Sequence, residues 1–184
     1  MVPSSAGDVR RDEEFHLTFD GELPSVGNAT RPLSAAKLSA IWGIRDSISP
    51  QLRQLWATHH RLRTAGTAAA PYGVVELSEP IVSEGYQFVA LVRPTLRLMC
   101  ELDVRLLVNH EIGSVVTRTG DLDNRIKPLF DGLRAPNGAQ EFGQRGPAEQ
   151  PCYCLLEDDA LITKVAVEMA RCLSSTLRIF AVGR

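Results

Sequence analysis

The chain has 184 residues, a formal net charge of -2, 44% hydrophobic residues and 23% charged ones. This length suits one domain with a single sizeable core. The faintly acidic balance does not mark a strongly basic nucleic-acid binder, although a local patch matters more than the sum. The longest apolar runs, such as Leu106-Leu107-Val108, are far too short to span a bilayer. Met1 to Glu14 holds no apolar stretch for a secretory signal. A cytoplasmic protein with no membrane partner is therefore expected.

Residues 1–14 read as a disordered leader. Phe15 to Phe19 alternates apolar and polar residues and stops at Asp20-Gly21, the pattern of a short strand. Leu23 to Arg31 carries Pro, Ser, Gly and Asn and reads as a loop. Leu33 to Leu62 has helical spacing, with Ile48, Leu52, Leu55 and Trp56 on one face and Pro50 expected in a helix's first turn. Thr64 to Pro71 is small-residue chain, expected to be mobile. Tyr86 to Val92 and Arg97 to Val108 read as long strands joined by a turn at Arg93-Pro94-Thr95. The imperfect period of Met99, Glu101, Val104 and Leu106 suggests a bulge. Thr117 to Asn124 reads as a loop, and Lys127 to Leu133 as a short helix with Pro128 at its start. The segment 135–157 is rich in Gly, Pro, Gln and Glu and is expected to be a long exposed loop. Ala160 to Met169 and Thr176 to Val182 read as a final hairpin. The order predicts one α+β domain over 15–184, with one small mixed sheet (β-α-β-β-α-β-β) flanked by helices.

The four cysteines, Cys100, Cys152, Cys154 and Cys172, are expected to be reduced thiols. Cys152-x-Cys154 has one residue between thiols, too few for a usual structural zinc pair. Trp42 and Trp56 are expected in the core. The chain has no Gly-rich phosphate loop and no Gly-x-Ser-x-Gly elbow.

The segment that carries chemistry is Gly120-Asp121-Leu122-Asp123-Asn124-Arg125-Ile126-Lys127. On an extended backbone Asp121 and Asp123 point the same way, with Leu122 turned toward the core. Two like charges on one side repel, and a hard divalent cation relieves that repulsion. Lys127 lies one helical turn beyond Asp123 if the helix already runs there, placed to stabilise negative charge on a phosphate. A second acidic run, Glu157-Asp158-Asp159, can fold a third carboxylate back onto the first two. Such a site would activate water for in-line attack on phosphorus. Each piece alone has a plainer reading: an Asp-x-Asp turn or cap, a solvated acidic turn, a surface lysine. Only the combination points to chemistry.

Taken together, Asp121, Asp123, Asn124, Lys127, then Phe130-Asp131-Gly132-Leu133, then Asp158-Asp159, resemble the pattern of the RusA family of Holliday-junction-resolving endodeoxyribonucleases. A loose counterpart of that family's early Pro-Ser-x-Asn element stands at Pro24-Ser25-Val26-Gly27-Asn28. The resemblance implies an α+β homodimer that binds branched DNA, with one Mg²⁺-dependent (or Mn²⁺-dependent) site per subunit and paired nicks. It places the catalytic, metal-binding aspartates at Asp121, Asp123 and Asp159 and the catalytic lysine at Lys127, with Asp158 as a neighbour. The chain departs from the pattern in three ways: a longer Arg134 to Glu157 connection, an acidic net charge, and Gly132 where Ala is usual.

Arg118, Arg125, Lys127 and Arg134 flank the acidic motif and are the expected nucleic-acid contacts. Arg31, Lys37, Arg45, Arg53, His59, His60, Arg61 and Arg63 form a further basic set. The expected activity is Mg²⁺-dependent hydrolysis of phosphodiester bonds in branched DNA, in recombination and repair. The alternatives are a structure-selective or phage-defence nuclease on the same scaffold with another substrate, or a non-catalytic nucleic-acid-binding module.

Overall fold

The computed structural model describes residues 14–21, 23, 34–58, 68–70, 73–75, 79–96, 98–108, 122–143, 146–171 and 178–182. At some of these, Asp123 and Asn124 included, only the backbone is described. The leader through residue 13 and the loops expected at 24–31 and 117–121 lie outside them.

Strand β1 (His16–Asp20) buries Leu17 and Phe19 and exposes the three residues between and around them, the alternation that makes it a half-buried strand. Helix α1 (Ala35–Thr58) opens on Ser34, whose Oγ accepts from the Lys37 amide at 3.2 Å. Ile48, Leu52 and Trp56 are buried on the expected face, and Leu55 packs against the same core. Pro50 sits inside this helix rather than in a first turn. One hydrogen bond is lost there, but Ile44 and Ile48 before it and Leu52 and Trp56 after it enter one core, and that burial outweighs the break.

Strands β2 (Ala68–Ala70) and β3 (Gly73–Val75) pair antiparallel, so part of the stretch expected to be mobile is sheet. Strands β4 (Ile81–Ser83) and β5 (Tyr86–Val92) form a tight hairpin across Glu84 (φ 51°) and Gly85 (φ 81°). Two positive φ values give the turn whose twist matches the strands, and glycine adopts one of them without strain. A 3-10 turn at Pro94–Leu96 leads to β6 (Cys100–Val108), whose register shifts between Cys100 and Glu101; the extra residue, Thr163, lies on the neighbouring strand and not on β6, where the bulge is expected. Helix α2 (Leu122–Leu133), strand β7 (Cys152–Leu156), a 3-10 turn at Asp159–Leu161, β8 (Ile162–Arg171) and β9 (Arg178–Val182) complete the order.

The fold is α+β, as expected, but the strands divide into three sheets rather than one: β1-β9-β6-β8, β4-β5-β7 and β2-β3. Consecutive β5 and β6 therefore lie in different sheets. Nor do β8 and β9 form a hairpin: β6 lies between them, parallel to β8 and antiparallel to β9.

The division follows from two apolar clusters. Along β5, Val89 and Leu91 enter the main core while Phe88 and Ala90 enter a second cluster with Trp42, Phe142 and Ala135. On β7, Leu155 and Leu156 join the first, Cys152 and Cys154 the second. A strand buried on both faces reads as a continuous apolar run, so its sheet partners are not legible from alternation. This second cluster also corrects the long exposed loop at 135–157. Ala135, Glu141 and Phe142 are buried, a 3-10 turn spans Ala139–Glu141, and the segment ends in β7.

Candidate functional site

Each residue of the acidic run after β7 has a different role. Glu157 is anchored: its amide donates to Val92 O at 3.0 Å and its Oε2 accepts from Arg93 Nε at 2.8 Å. Asp158 is a cap: its backbone is extended, and its Oδ1 accepts from the Ala160 amide at 2.8 Å, closing the Asp159–Leu161 turn. Asp159 is exposed; its carbonyl oxygen accepts from the Ile162 amide, and its carboxylate, which forms no hydrogen bond or ion pair among the described residues, adds to the negative charge felt by Arg134. Glu157 and Asp158 thus hold the turn, and Asp159 is the exposed carboxylate of the three.

Helix α2 begins at Leu122, several residues earlier than expected, so Pro128 lies within it and 122–124 are helix rather than loop. Hence Asp123 does not sit on an extended backbone, and Leu122, expected to turn toward the core, is 38% exposed. The helix does run through the positions that matter. Asp123 and Lys127 stand one turn apart, and Lys127 is exposed. Leu129 and Leu133 anchor the other side of α2 in the main core together with Leu156 and Leu161. In consequence α2 packs against the turn that carries Asp159. Arg134 bridges to Leu156, and the Ala135 amide donates to Leu156 O at 2.9 Å, which fastens the helix's C-terminal end to the end of β7.

Asp121 lies outside the described residues, and the Asp123 side chain is not described. Among the described residues no three His, Cys, Asp or Glu side chains form a metal-binding group.

The basic residues divide sharply. Arg45, expected as a phosphate contact, is 1% exposed and stacks on the Trp42 ring at 4.7 Å. It donates through Nη2 to Asp131 O at 2.6 Å and to Glu141 Oε2 at 2.9 Å. Arg134, expected beside the DNA, is half-buried and donates to Glu141 Oε1 at 2.8 Å and Asp131 Oδ1 at 3.1 Å. Burial acts to lower the Arg134 pKa, but the bond and charge of Glu141, with Asp131 and Asp159, outweigh it and hold the pKa raised. Arg53 is ion-paired with Glu149, and Lys37 lies 3.9 Å from Asp131. Arg125 is half-buried, and its Nε has no hydrogen-bond partner among the described residues. Arg31, His59, His60, Arg61, Arg63 and Arg118 lie outside the described residues.

The internal Arg45–Glu141–Arg134 network is the feature the sequence reading missed. Its only signal was Phe142, an aromatic residue in an otherwise polar segment. Among the described residues Cys100, Cys152 and Cys154 are free and buried, and burial pushes the thiol pKa of the first two up to about 11.

Comparison with family models, curated proteins and solved structures returns no match. The chain has no helix among its described residues long and apolar enough to cross a membrane.

Proposed function

We propose that the protein is a Mg²⁺-dependent endodeoxyribonuclease of the RusA kind, cutting phosphodiester bonds in branched DNA as a homodimer. One observation carries the reading. The helix that bears Asp123 and Lys127 packs against the turn that bears Asp159, and Asp159 is the exposed member of its acidic run, its carboxylate in no hydrogen bond or ion pair among the described residues. An exposed carboxylate is a hard oxygen donor of the type Mg²⁺ prefers. Asp121, Asp123 and Asp159 are the residues that would hold the ion. When bound, it would supply an activated water and charge neutralisation at the phosphate. Lys127, exposed one turn along α2 from Asp123, stabilises the negative charge that builds on the phosphate oxygens. The Glu157–Arg93 ion pair and the Asp158 cap hold the turn in place, so Asp159 is positioned by neighbours that take no part in the chemistry.

The test is cleavage of a four-way junction, a flap, linear duplex and RNA in Mg²⁺ by wild type and by Asp123→Asn, Asp159→Asn and Asp158→Asn. Loss of a ligand should cost at least about a hundredfold in rate, the scale of a few kcal/mol of charge stabilisation. Asp158→Asn keeps a capping oxygen and should cut nearly as wild type. Cleavage confined to another substrate would move the assignment to a different nuclease on this scaffold. No cleavage of any substrate, or equal cutting by Asp159→Asn, would overturn it.

A further inference from the structure

Among the described residues β8 is an edge of the four-stranded sheet, with β6 on one side. It is 10 residues long, holds neither Pro nor Gly, and exposes Thr163, Lys164, Val165, Ala166 and Glu168. A long edge of this kind offers its main-chain donors and acceptors to any strand laid beside it. The pairing with β6 fixes which way each residue faces. Leu102↔Val165, Val104↔Val167 and Leu106↔Met169 put one set on the core side. Glu101↔Lys164, Asp103↔Ala166 and Arg105↔Glu168 put the other set on the water side. Val165, on the core side, is nevertheless 40% exposed, so the apolar face continues past what the described residues cover.

The water side carries a charge pattern. Lys164 Nζ lies 3.5 Å from Glu101 Oε2, and Arg105 Nε lies 3.1 Å from Glu168 Oε2. Moving from β6 to β8, the sign runs negative to positive at one end and positive to negative at the other. Ala166 stands midway between Lys164 and Glu168. A two-fold axis through Ala166 therefore maps each charge onto its opposite.

We propose that β8 is a homodimer surface that pairs antiparallel with β8 of a second copy, the two-fold axis passing at Ala166. Lys164 then faces the partner's Glu168, Glu168 faces the partner's Lys164, and Val165 packs against the partner's Val167 on the core side. Glu101, Lys164, the partner's Glu168 and the partner's Arg105 alternate in sign across four strands. Slipping the pairing by one residue would set the core side against the water side. The next registers on either side set Lys164 against Ala166 or Ala170 and lose both charge pairs. The surface gives the homodimer of the proposed function its place in the fold, but it does not require that the protein cut DNA, and it is tested without DNA or divalent metal.

The experiment is sedimentation velocity at micromolar protein on wild type, Lys164→Glu, Glu168→Lys and an equimolar mixture of the two variants. The two side chains are 63% and 62% exposed, so both variants should fold, which circular dichroism checks. Wild type should sediment as a dimer. Each variant sets like charges opposite each other twice, and its self-association should weaken by about tenfold or more. In the mixture one copy is negative at both positions and the other positive at both, so a heterodimer should form. A monomeric wild type, dimers that survive either substitution, or a mixture that stays monomeric would each overturn the proposal.

Discussion

Glu141 is gripped from two sides, by Arg45 and Arg134, while its own carbonyl oxygen accepts the Trp42 indole N–H at 3.0 Å. Burial works to raise its pKa, but the two guanidinium groups outweigh burial and hold it below the ordinary 4.5. A carboxylate depressed in the folded state contributes stability that is complete above its unfolded pKa and lost as pH falls through the folded one. Urea unfolding should therefore show wild type losing stability as pH drops below 4.5, and Glu141→Gln should lack that component. At neutral pH the same substitution leaves Arg45 buried without a counter-charge and should cost up to roughly 3–5 kcal/mol. Equal urea midpoints for the two proteins at neutral pH would mean that the network contributes nothing. None of this was legible in the sequence. An arginine in an amphipathic helix and a glutamate in a Gly- and Gln-rich segment both look like solvated surface until packing joins them.

At the level of the elements, propensity and packing can be set against each other in the two helices. Gly132 of α2 faces α1, and a methyl group there would fall 2.7 Å from Ile44 Cβ, an atom that cannot swing away. Pro50 of α1 is exposed. By propensity alone, Gly→Ala and Pro→Ala inside a helix both stabilise, by about 1 and about 3 kcal/mol. Here Gly132→Ala should instead destabilise by about 1–3 kcal/mol, because the helices must part, whereas Pro50→Ala should raise the melting temperature. If Gly132→Ala proved more stable than wild type, the close crossing of α1 and α2 would be wrong. The same close crossing accounts for a glycine at position 132. Periodicity located α1 and the span of β5 because one-sided burial or an apolar run marks each, whereas it set in β6 a bulge whose extra residue, Thr163, lies in β8. It misplaced the start of α2 and the role of Pro50, since proline was read as a boundary and tertiary burial overrode it. The parallel pairing of β5 with β7 is set by apolar residues on both faces, and no local pattern records which strand lies beside which.

Across the whole molecule, the candidate site depends on closing the long connection between α2 and the Asp159 turn. Main-chain contacts do this: the Arg134–Leu156 bridge, the Ala135 amide on Leu156 O, and the Glu157 amide on Val92 O. Main-chain contacts leave no trace in residue identity. The sequence could therefore nominate Asp123 and Asp159 by type and spacing but could not supply the path that brings their elements together. The reading implies that folded protein binds a divalent ion and unfolded chain does not, which is a statement about stability as well as catalysis. At ten times the dissociation constant, linkage adds about 1.4 kcal/mol. For a chain of this size that raises the melting temperature by about 3–6 °C. Mg²⁺ should produce such a shift in wild type and in Asp158→Asn, a chelator should reverse it, and a monovalent salt of equal ionic strength should not reproduce it. Asp159→Asn should lose the shift while folding normally, because its side chain is exposed and forms no hydrogen bond or ion pair among the described residues. A shift of equal size in Asp159→Asn would place the ion elsewhere, and no shift in wild type would remove the ion from the site altogether.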